Sequence, residues 1–201
     1  FGLLSYHAAI LASAHTPISW RPQVLHCHDW QAGLGPAYLH FMPGEKARSV
    51  MTIHNLAYQG VFPPITLSRL GLPPSAFSPD GVEYYGNMSF LKGGLHYADR
   101  LTTVSPTYAR EIQTEAFGCG MEGILGARRG ALTGILNGID TAEWNPATDA
   151  HLPEKYDVNS LEKKRQNKVA LQKRLNLELD EKMPLIGFVG RLTHQKGVDL
   201  I

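Results

Sequence analysis

The chain has 201 residues, 43% of them hydrophobic and 18% charged, a balance that fits an ordinary globular protein and excludes disordered, fibrous and membrane-embedded chains. With 19 Lys and Arg against 18 Asp and Glu the formal charge is +1, so there is no broad footprint for nucleic acid or an anionic membrane, and any anion site must be local. No apolar run is long enough to span a bilayer, no signal peptide opens the chain, and Cys27 and Cys119 form no C-x-x-C pair, so a reducing, cytoplasmic setting is expected rather than a disulfide scaffold or zinc ribbon.

The opening F-G-L-L-S-Y-H-A-A-I-L-A reads as a helix already in progress, and the end falls inside V-D-L-I, so the chain is expected to be an internal fragment. Apolar, β-branched runs predict strands over 24–27, 49–53, 101–104, 131–136 and 185–189. Helical spacing predicts helices over 33–41, 88–97, 107–114 and 160–175. Prolines at 63, 64, 73, 74 and 79 make 65–79 a loop with one helical turn. This alternation predicts an α/β fold of parallel βαβ units. The pattern breaks over 144–157, which reads as a connector. Residues 1–139 are therefore expected to form most of one Rossmann-like domain, and 140–201 the connector and the start of a second, with its first strand near Leu185.

Ligands of open parallel sheets bind beyond the carboxyl ends of the strands. Those positions read His28-Asp29-Trp30, His54-Asn55, Ser105-Pro106, Asn137-Gly138 and Arg191. In V-L-H-C-H-D-W, strand alternation places His26 and His28 on one face and Cys27 on the other. An H-x-H at a strand end can bind metal; equally, the histidines can be structural and Asp29 can cap the helix beginning near Ala32. In H-N-L-A-Y-Q-G the residues His54, Asn55, Tyr58 and Gln59 offer hydrogen-bonding groups suited to sugar hydroxyls, or a loop that satisfies its own backbone.

Residues 118–123 spell G-x-G-x-x-G, but a helical stretch rather than a strand precedes them, so they are not a dinucleotide fingerprint. In F-V-G-R-L-T-H-Q-K-G, a fork-shaped Arg191 and a point-charge Lys196 flank an expected strand-to-helix turn, a combination suited to a diphosphate. Surface cations on a loop fit the same residues.

The segments H-C-H-D-W-Q-A-G, T-I-H-N-L-A-Y-Q-G, F-L-K-G-G-L-H-Y-A-D, T-V-S-P-T-Y-A-R-E-I, G-M-E-G-I-L, I-L-N-G-I-D and G-R-L-T-H-Q-K-G together resemble the ADP-glucose-dependent glycogen and starch synthases, in order and spacing, over essentially the whole chain. The resemblance implies a GT-B architecture of two Rossmann-like domains, with the reaction cleft between them and neither metal nor cofactor required. It implies transfer of glucose, with retention of configuration, from ADP-glucose to the non-reducing end of an α-1,4-glucan. In that family's terms Arg191 and Lys196 neutralise the leaving diphosphate and His54 contacts the donor glucose. Asn137 lies near the donor, and Asp29, Trp30, Asn55 and Tyr58 line the sugar and acceptor side. Gln31 stands where some relatives carry histidine. The family's K-x-G-G-L-x-D loop and a glutamate near the donor are expected to lie outside these residues, leaving the fragment inactive alone.

Two rival readings share the fold: a metal-dependent hydrolase using His26, His28 and His54, and a glucan-binding relative without turnover.

Overall fold

A computed structural model describes residues 1–201, which divide into two compact units, Phe1–Asn137 and Gly138–Ile201. The first unit is built on a four-stranded parallel sheet of β1 (Val24–His28), β2 (Arg48–Ile53), β6 (Arg100–Thr103) and β7 (Leu132–Gly134), in the order β1-β2-β6-β7. Period-two alternation splits these strands cleanly. Cys27, Met51, Ile53, Leu101 and Leu132 face a core completed by Leu91, Leu95, Ile112 and Leu125. On the opposite face, register aligns His28, Thr52, Thr102 and Thr133 in one row near the strands' carboxyl ends.

Helices α1 (Gly2–Leu11), α2 (Asp29–Ala32), α3 (Leu34–Phe41) and α5 (Phe90–Tyr97) belong to the apolar side. Leu34, Ala37 and Leu39 of α3 are buried together with Ala9 of α1 and Phe90 of α5. Two glycines allow the close approach: a Cβ at Gly33 would lie 2.3 Å from the Phe90 carbonyl oxygen, and one at Gly94 would lie 2.8 Å from Met51 Sδ. Ser89 caps α5 by accepting from the Lys92 amide at 3.1 Å. Ser105 caps α6 (Pro106–Glu111) by accepting from Tyr108 at 2.8 Å, with proline at the first helical position, where its missing N–H costs nothing. Helix α7 (Glu122–Ala127) follows.

Between β2 and α5 the chain builds a feature absent from the sequence-based expectation, a small antiparallel sheet in the order β3-β5-β4 from β3 (Val61–Phe62), β4 (Glu83–Tyr84) and β5 (Asn87–Ser89). Its hairpin turns at Tyr85 and Gly86, both at positive φ (47° and 77°), the primed turn that matches strand twist. Strands of two or three residues carry too little periodicity to be read from sequence. The proline-rich stretch holds α4 (Thr66–Arg69) and a 3-10 turn at Pro74–Ala76.

In the second unit a 3-10 turn at Leu161–Lys163 leads into α8 (Lys164–Arg174). Gln172, which is buried, donates to the Glu178 carbonyl at 2.8 Å and holds the following loop against the helix. The expected strand over 185–189 is not formed; those residues belong to no regular element and Val189 is fully exposed. The physical reason is the lack of a ladder partner: no β-strand lies anywhere in 138–201, and a lone strand leaves its backbone groups to water.

Candidate functional site

Strands β1 and β2 run side by side with His28 opposite Thr52, so the residues that follow each strand emerge together. Asp29 sits in the left-handed region at φ 54°, a conformation Asp tolerates better than most residues. This turns its carboxylate back across the sheet, where Oδ1 accepts the backbone N–H of His54 at 2.8 Å. Asp29 thus does not cap the helix it opens, as one alternative expected; that N-cap position belongs to His28, with no side-chain capping bond.

The His54 ring is exposed at the strand end, and its Nε2 lies 3.0 Å from Nδ1 of His28. The His26 ring lies against His28, centroids 4.2 Å apart and tilted by 32°, and its Nε2 is 2.7 Å from Thr52 Oγ1, which bonds in turn to Thr102 Oγ1. Partial burial lowers the His28 pKa from its ordinary value, the charges of His26 and His54 lower it further, and Asp29 pulls the other way. Crowding therefore favours the neutral ring. On the far side of β1, burial pushes the Cys27 thiol up to about 12.

The turn after His54 is tied down at several points. Asn55 Oδ1 accepts from the Ala57 amide at 3.1 Å, and the Leu56 amide donates to the Tyr108 hydroxyl at 3.1 Å. Gln59 Nε2 donates to the Cys119 carbonyl, as does Tyr84 OH, each at 2.8 Å. Gly60, at φ 60°, lies so close to Trp30 that a Cβ there would be 2.3 Å from the indole. Trp30 is half-buried, with its ring 5.9 Å from Phe62 and 6.2 Å from Phe90. Tyr58 projects outward, 47% exposed.

The structure thus brings Asp29, His54 and Asn55 together, with Trp30 packed against Gly60 at the end of the same turn and Tyr58 exposed on it. Asn137 is exposed beyond β7, at the end of the first unit. Arg191 and Lys196 belong to the second unit and are exposed; Lys196 closes a 3-10 turn, and Gly197 follows at φ 66°. No strand delivers Arg191 and no α-helix starts at Lys196, contrary to expectation. The glycines at 118 and 120 lie between α6 and α7, so no strand precedes them. No set of three His, Cys, Asp or Glu side chains is arranged to hold a metal ion. Sequence reasoning overlooked Tyr108, whose hydroxyl supports the His54 turn, and the ring-to-ring bond of His28; only the H-x-H alternation hinted at the latter.

A family profile described as the starch synthase catalytic domain matches residues 1–127. Over its whole length the chain is 58% identical to a glycogen synthase of Nitrosomonas europaea and 59% identical to one of Nitrosospira multiformis, covering 41% and 40% of those proteins. Among solved structures, the catalytic domain of starch synthase IV from Arabidopsis thaliana bound to ADP and acarbose superposes with a TM-score of 0.79 at 37% identity, over 89% of this chain and 38% of that one. The chain spans about two fifths of the length of the relatives it matches. No helix is long and apolar enough to cross a membrane. Family profile, whole-length identity and α/β parallel-sheet fold agree: this chain belongs to the glycogen and starch synthase family of glycosyltransferases.

Proposed function

We propose that the protein containing this chain is a retaining glucosyltransferase that moves glucose from ADP-glucose to the non-reducing end of an α-1,4-glucan in the cytoplasm. The observation that carries this reading is the cluster of Asp29, His54 and Asn55 at the carboxyl ends of adjacent parallel strands, in a chain more than half identical to glycogen synthases along its entire length. The structural relative's ADP is the product that transfer from ADP-glucose would leave.

Glycosyl transfer builds positive charge on the sugar ring and negative charge on the departing phosphate, so fixed cations beside that phosphate lower the barrier. Arg191 and Lys196 take that role, the guanidinium as a two-pronged contact and the ammonium as a point charge. His54 contacts the donor glucose as a positioning and hydrogen-bonding group. Its backbone is held by the Asp29 carboxylate, and no carboxylate among its hydrogen-bond partners touches its ring, so general-base work is not assigned to it. Asn137 lies near the donor, and Asp29, Trp30, Asn55 and Tyr58 line the sugar and acceptor side. Residues 1–139 form the later part of the N-terminal catalytic domain, and 140–201 the connector and beginning of the nucleotide-binding domain.

The test is a glucose-transfer assay on the full-length protein with ADP-glucose and UDP-glucose as donors and glycogen as acceptor. Incorporation of glucose, faster from ADP-glucose, is expected. Glycogen binding without incorporation from either donor would favour the glucan-binding reading instead.

A further inference from the structure

His28 reads from its H-x-H motif as a metal ligand or as a structural residue, and the geometry around it fits neither. Its ring is exposed at the end of β1, so it contributes little to the core. Its Nδ1 is directed at Nε2 of His54 at 3.0 Å, a distance at which one nitrogen carries the hydrogen and the other accepts it. Behind it stands His26, its tilted ring 4.2 Å away and fixed through Thr52 to Thr102. The arrangement is a brace running from the sheet face to the ring of His54.

We propose that His28 is a positioning residue for glucosyl transfer, acting through His54. The inference rests on the reading of His54 as the group that meets the donor glucose. An exposed imidazole on a turn can adopt several rotamers, and freezing it before substrate arrives removes that entropy from the reaction step. Asp29 fixes the His54 backbone but leaves the ring free to rotate. The bond from His28 removes this remaining freedom. It also occupies His54 Nε2, which leaves Nδ1 as the ring nitrogen available to a sugar hydroxyl. Because each nitrogen of the pair needs the other to be its complement, the bond couples the tautomers of the two rings, and whichever ring carries the shared hydrogen sets whether His54 Nδ1 donates or accepts.

His28 uses Nδ1, the ring atom nearest its backbone, and that atom's place is matched most closely by the amide of asparagine. This gives the test a specific rescue. In the full-length protein, His28→Ala is expected to lower kcat on the order of 10-fold to 100-fold, with donor KM changed by less than about threefold. His28→Asn is expected to recover most of the loss. In a His54→Ala background, adding His28→Ala is expected to cost nothing further, since the residue it positions is gone. Full kcat in His28→Ala, failure of His28→Asn to recover activity, or additive losses in the double variant would each overturn the inference. If His28→Ala also loses melting temperature, the asparagine variant and the double variant still decide. Failure of the functional reading itself is separate, because it would appear as absence of transfer in the unaltered protein.

Discussion

The carboxylate of Asp29, at the end of one strand, accepts the backbone N–H of His54, at the end of the next, over 2.8 Å. The two residues are 25 positions apart, and the bond exists only because β1 and β2 pair in parallel with His28 opposite Thr52. Asp29 reaches it from a left-handed backbone conformation, which most side chains adopt only at a cost. A residue held in that conformation, pinning the neighbouring strand end, is what a preorganised site requires.

His54→Ala in the full-length protein should lower turnover far more than stability. The ring is exposed and absent from both hydrophobic clusters, so its removal leaves no cavity. Comparing kcat with melting temperature checks this. Proportionate loss of both would point to a structural histidine.

Lys196→Ala should reduce kcat on the order of 10²–10³-fold with saturating glycogen, the usual effect of deleting one preorganised electrostatic donor. Arg191→Lys should also be poorly tolerated, since an ammonium lacks the second prong. Near-normal kcat for Lys196→Ala, with only donor KM raised, would mean that the lysine binds the ground state and does not stabilise the leaving group.

Much of this architecture was legible in the residues themselves. The runs around Cys27, Met51 and Leu101 are apolar and β-branched because they are buried, and burial is what sequence patterning records. Apolar spacing marked the helices over 88–97 and 107–114, whose Ser89 and Ser105 caps the structure adds. The hairpin at Tyr85-Gly86 was invisible because its strands are too short to show a period. Residues 185–189 have a strand's composition, but pairing is a property of two segments and no second one lies in 138–201. The same holds for the site. Residue types at strand ends marked His54 and Asp29, whereas the bond from His28 to His54 depends on the register between strands, which no single segment encodes.

Gly33→Ala tests the helix packing behind the site. Gly33 has helical angles, so alanine alone would favour the backbone. The added methyl, however, meets the Phe90 carbonyl at 2.3 Å, and backbone cannot move aside as a flexible side chain can. A loss of about 1–3 kcal/mol is expected, read as a melting temperature several degrees lower. Gly126→Ala in α7, where a Cβ meets nothing within 4 Å, should instead stabilise by up to about 1 kcal/mol.

The cysteines should separate by reactivity. Cys27 is 3% exposed and its thiol is pushed up to about 12, whereas Cys119 is exposed on its loop. The thiolate is the reactive form, so alkylation at pH 8 followed by peptide mapping should label Cys119 quickly and Cys27 only after denaturation. Equal labelling of both in the native protein would contradict the placement of Cys27 on the buried face of β1.

Glucan extension by the full-length protein, with ADP-glucose as donor and metals stripped by a chelator, tests the account most directly, because the cations assigned to the leaving diphosphate are Arg191 and Lys196. The account predicts that labelled glucose continues to enter glycogen at an essentially unchanged rate. Loss of transfer that returns only on adding back zinc, together with hydrolysis of the donor, would contradict it and favour the metal-dependent hydrolase built on His26, His28 and His54.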